Sequence, residues 1–120
     1  MSIKAIALTF DYELFLGKNH APAQDVLITP TTQLLSELKK TGVKATFFID
    51  LTYLLRIREV QRTQNVAPLE KEYQDILENI SQMIRQGHEL GIHFHPHWKD
   101  SNYKDGMWVF DSFQNYALHN

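Results

Sequence analysis

Glu89-Leu90-Gly91-Ile92-His93-Phe94-His95-Pro96-His97-Trp98 carries three of the chain's six histidines at alternate positions, directly after an apolar segment. Imidazole is the commonest protein ligand for zinc and similar metals, and side chains two or four apart fall on one side of an extended chain. Pro96 argues against a helix, because proline removes a helical hydrogen bond and clashes with the turn before it. The stretch therefore reads as a strand that ends in a loop and points His93, His95 and His97 into a site. The plainer alternative, a polar loop whose histidines bond to backbone or water, is weakened by three imidazoles falling within five residues.

An acidic element lies near the start. Residues 3–10 are apolar and read as a buried strand, and Asp11, Tyr12 and Glu13 follow at once. Asp11 and Glu13 are two apart, so they point the same way while the chain stays extended. Two carboxylates at the carboxyl end of an apolar strand suit a metal ligand plus a general base, and in α/β folds that end is where sites lie. A helix cap or a solvated turn is the alternative for this pair taken alone.

Between these elements the pattern alternates strand and helix. Residues 14–28 are expected to form a long loop. Thr29-Pro30 should open a helix with Thr29 as cap and Leu34, Leu35 and Leu38 as its buried stripe, closed by Gly42. Residues 43–50 read as a second strand, 51–58 as a short helix, and 65–68 as a break. Leu69, Tyr73, Ile76, Leu77, Ile80, Met83 and Ile84 then follow helical spacing to Gly87, and a third strand runs to His93. Strand–helix–strand–helix–strand predicts parallel α/β. In the tail, Lys104-Asp105-Gly106 signals a turn and residues 107–110 a short strand. Trp98, Tyr103, Trp108, Phe110, Phe113 and Tyr116 make the tail rich in aromatics, which suits either a sugar-binding wall or a packed cover over the sheet end.

A chain of 120 residues is read as one domain, 1–120, with room for a core. The net charge of −2 and the dispersed basic residues give no footprint for nucleic acid or an anionic membrane surface. With no cysteine, disulfides and thiolate metal sites are excluded. No apolar run approaches the roughly 20 residues of a membrane span, and the start lacks a leader pattern, so a cytoplasmic location is expected.

The two motifs together resemble the NodB-type polysaccharide deacetylases, carbohydrate esterase family 4. Thr9-Phe10-Asp11-Tyr12-Glu13 is similar to the family's first motif, usually Thr-Phe-Asp-Asp. Gly87-His88-Glu89-Leu90-Gly91-Ile92-His93 through His97 is similar to its second, in which two histidines lie four apart. Gly42-Val43-Lys44-Ala45-Thr46-Phe47-Phe48 resembles its second strand. The chain departs from the pattern at Tyr12, which replaces the second aspartate, and at Phe94, which replaces a loop-fixing Ser or Thr. It departs again at His95, an additional imidazole, and in lacking the later motifs.

The resemblance implies parallel strand–helix units forming the N-terminal part of a distorted (β/α) barrel. An ordinary barrel of eight units takes about 250 residues, so the chain is expected to be part of a longer protein or to associate with itself. It further implies a divalent ion, zinc first, held by Glu13, His93 and His97, with His95 as a replacement or additional ligand. A water activated by that ion would attack an N-acetyl carbonyl, with Asp11 as base and His95 as the spare acid. Trp98 and Tyr12 are expected to touch the carbohydrate or small N-acetylated substrate. Two other readings stand beside this one. The first is a non-catalytic, degenerate or partial deacetylase-like module that binds metal or carbohydrate. The second is another metallohydrolase of the amidohydrolase or PHP-type phosphoesterase kind, which His93-Phe94-His95 resembles.

Overall fold

The structure is a computed structural model that describes residues 2–14 and 21–110. The middle of the loop expected over 14–28 lies outside the described residues, as do Phe113 and Tyr116. Three parallel strands, β1 (Thr9–Tyr12), β2 (Thr46–Asp50) and β3 (Glu89–His93), form a sheet in that order. Three helices connect them: α1 (Thr29–Thr41), α2 (Leu51–Gln64) and α3 (Ala67–Arg85). A hairpin of β4 (Ser101–Lys104) and β5 (Met107–Phe110) follows, turning at Asp105-Gly106 as its sequence predicts.

Alternation along the strands builds the layers. Phe10, Tyr12, Phe47 and Ile49 point toward the helices, where Leu35, Ile57, Leu69, Ile76 and Met83 complete the core. On α2 the buried residues are Tyr53, Ile57 and Val60, one turn apart on one face. Gly42 ends α1 with φ of 70°, a conformation that costs glycine nothing. Asp50 opens α2, its Oδ1 accepting from the backbone N–H groups of Thr52 and Tyr53 at 3.1 and 3.4 Å.

The parallel α/β expectation is met, with local corrections. Residues 3–8 are not a strand: β2 begins only at Thr46, which pairs with Thr9, so the chain before Thr9 has little to bond to and Ile3 and Ile6 are exposed. Thr29 does not cap α1, because a π-helical turn over Gln24–Ile28 runs straight into the helix and Thr29 itself has helical angles. The second helix extends well past residue 58, to Gln64. Ile84 faces solvent rather than the core. The outer edges of β1 and β3 are unpaired among the described residues, and Ile92 on β3 is 62% exposed.

Candidate metal centre

The register of the sheet brings the two sequence motifs side by side. Tyr12 pairs with Ile49 and Ile49 with Ile92, so the residues that follow, Glu13, Asp50 and His93, emerge at one level at the carboxyl ends of the strands. Tyr12 turns down into the core, which turns Asp11 and Glu13 to the opposite side.

Glu13 Oε2 lies 2.9 Å from His93 Nε2 and is also bonded to His95 Nε2. The His93 and His95 rings meet edge to face with centroids 4.5 Å apart. Ligand atoms of Glu13, His93 and His95 all lie within 4.8 Å of one another, the one such group among the described residues. All three side chains are half-buried, open to solvent yet held by their neighbours. Two imidazoles and a carboxylate are a donor set that suits zinc and leaves positions free for water and substrate. The residues present therefore fit a divalent ion.

The structure groups one of the two expected alternatives for the second histidine with Glu13 and His93, and leaves the other apart. His95, read as the spare acid and as a replacement or additional ligand, sits in the cluster with its Nε2 on Glu13. His97, read as a ligand, is not in the group. It lies in a 3-10 turn over Pro96–Asp100, is 7% exposed, and packs on Trp98 and Phe110 with ring centroids at 5.0 and 5.2 Å. Burial, and then the neighbouring His95, depress its pKa to about 4, with Asp50 opposing the shift. The physical reason that His97 stays apart is Pro96, which starts the tight turn immediately after His95 and folds His97 back toward the hairpin.

The expected substrate contacts also move. Tyr12 is 4% exposed and donates its hydroxyl to Asn79 Oδ1 at 3.0 Å, beneath the sheet. Burial pushes its phenol pKa well up. Trp98 is 2% exposed, with its ring against Tyr53, Trp108 and Phe110 at 4.4, 5.4 and 5.0 Å. It borders a cavity of about 410 Å³ that Tyr53, Glu72, Asp75 and Trp108 also line, but none of Glu13, His93 and His95 does. Both residues are core. Asp11 is exposed and, with Glu13, borders an open groove along the outside of β1.

The loop bearing the histidines is tied down at several points. Trp98 N–H bonds the carbonyl of His95 at 3.2 Å, and Ser101 Oγ the carbonyl of Trp98 at 2.7 Å. Arg56 of α2 donates Nε–H to the carbonyl of Ser101 at 2.8 Å. Sequence reading gives α2 no part in the site. The Asp50-Leu51-Thr52 junction, a capping residue straight after a strand, is the signal that could have shown it.

Comparison with curated proteins and with solved structures finds no match. A sequence model of one family, described as polysaccharide deacetylase, matches residues 1–106. That span covers both motifs, all three strands of the parallel sheet and the whole carboxylate–histidine cluster, and the chain belongs to the polysaccharide deacetylase family.

Proposed function

We propose that the chain removes N-acetyl groups from a carbohydrate or related amide, with Glu13, His93 and His95 holding one divalent ion and Asp11 moving protons. The observation that carries this is the convergence of Glu13 Oε2 with the two imidazoles at the ends of β1 and β3, in a chain that belongs to this family. When bound, a divalent ion there supplies Lewis-acid polarisation of the carbonyl and acidifies water. Asp11 stands two residues before Glu13 on the same strand face and takes the proton from the attacking water. The new C–O bond forms at the acetyl carbon. The C–N bond then breaks as Asp11 returns that proton to the leaving amine, since His95 would be engaged in holding the ion. The barrel belongs to the same proposal: the edge of β3, unpaired among the described residues, and the exposed Leu90 and Ile92 are the surface that further strand–helix units would cover.

Acetate release from N-acetylglucosamine oligomers, measured with zinc, with chelator, and after restoring the ion, tests the reading. Release that follows the metal supports it. One observation favours the non-catalytic alternative, the burial of Tyr12 where the resemblance places a second acidic residue. A chain that binds one ion and the oligomers yet releases no acetate would establish that alternative.

A further inference from the structure

The His95 backbone N–H donates to Thr52 Oγ1 at 2.8 Å, across 43 residues of chain. Thr52 in turn donates its hydroxyl proton to Asp50 Oδ1. A hydroxyl has one proton to give and lone pairs to accept with, so the bond to Asp50 fixes the rotor and leaves a lone pair aimed at His95. Asp50 is itself immobilised: it is 3% exposed and caps α2 through the same oxygen. The line Asp50–Thr52–His95 therefore runs from the rigid start of a helix to the backbone of one candidate ligand. We infer that Thr52 is a positioning residue for the metal centre, supplying from α2 the hydroxyl that fixes the histidine loop.

Three features carry the argument. His95 lies past the last paired residue of β3 and before the turn at Pro96, still extended with φ −117° and ψ 99° but with no sheet partner among the described residues to hold it. Its carbonyl is held by Trp98 N–H, so the Thr52 bond completes a clamp on both sides of one residue, through its N–H and its C=O. The position after His93, where a loop-fixing hydroxyl is usual in the family the chain resembles, is Phe94, 59% exposed and unable to form such a bond. Partners that orient ligands are worth about 10–100-fold in metal affinity.

The inference rests on the metal-centre reading, and the test separates the two. Wild type, Thr52→Val and Thr52→Ser are titrated with Co²⁺, followed by visible absorption. His95 amide exchange is measured by NMR on the metal-free proteins. Valine matches threonine in shape and leaves the cap bonds to backbone N–H groups, so α2 should persist, as far-UV circular dichroism would show. We expect Thr52→Val to bind Co²⁺ about tenfold or more weakly and to exchange its His95 amide faster. Thr52→Ser should stay close to wild type in both. Wild-type affinity in Thr52→Val, or equal weakness in Thr52→Ser, overturns the inference. If wild type takes up no Co²⁺, the metal reading falls and the amide decides: slow exchange in wild type and Thr52→Ser but not in Thr52→Val upholds the clamp, and equal exchange in all three removes it.

Discussion

The Tyr12 hydroxyl donates to Asn79 Oδ1 at 3.0 Å, 67 residues away, and this buried bond sets which way β1 faces. With Tyr12 locked against α3, alternation presents Asp11 and Glu13 on the other side. Asn79 completes the arrangement by donating Nδ2–H to Thr32 Oγ1 on α1 at 3.1 Å. Tyr12→Phe keeps the ring but leaves Asn79 Oδ1 without this donor. We expect a loss of about 1–3 kcal/mol, read from the urea midpoint. An unchanged midpoint would show that the bond contributes nothing.

In the proposed reaction Asp11 transfers protons and does not bind the ion. Asp11→Asn should therefore lower turnover by about 10²-fold or more while ion affinity stays near wild type. Loss of the ion along with turnover would make Asp11 a ligand, and full turnover would remove it from the reaction.

His88 makes stability depend on pH in a stated direction. It is buried, its Nδ1 accepts from Ala45 N–H at 3.0 Å, and burial followed by Lys44 lowers its pKa below 6.5. A depressed histidine is neutral in both states well above 6.5, so it has no effect there. As pH falls through 6.5 the unfolded chain takes up the proton first, so the folded state loses stability until its own lower pKa is passed. In urea titrations at pH 7.5 and 5, His88→Gln should gain on wild type as pH falls. A difference that is independent of pH would contradict this.

Gly91 sits under the Phe48 ring on the sheet face opposite the helices. A Cβ there would come 2.4 Å from Phe48 Cδ1. Gly91→Ala should displace the ring and cost about 1–3 kcal/mol by denaturation. No loss would mean that Phe48 swings aside freely.

Both halves of the carboxylate–histidine cluster were legible because they lie at strand ends, where alternation and burial constrain direction. That Glu13 meets the histidine run could be read from that alone. Which imidazole meets Glu13 was not legible. It depends on the 3-10 turn that Pro96 starts, and so on where the Trp98–Phe110 packing pulls His97. Tyr12 and Trp98 were misplaced for a related reason: an aromatic beside a motif reads as a substrate wall until its face of the strand or turn is known. The extent of β1 was set by its partner strand, which the residues 3–8 do not reveal. The length of α2 was hidden by its many charged residues, although Tyr53, Ile57 and Val60 kept helical spacing throughout.

Metal content and affinity, measured by elemental analysis and zinc titration of wild type and single variants, test the account's central claim most directly. We expect one zinc per chain in wild type, with binding lost or greatly weakened in Glu13→Gln, His93→Ala and His95→Ala. His97→Ala should lower stability but keep the ion. Binding that survives Glu13→Gln and His95→Ala yet disappears with His97→Ala would contradict the centre described by Glu13, His93 and His95.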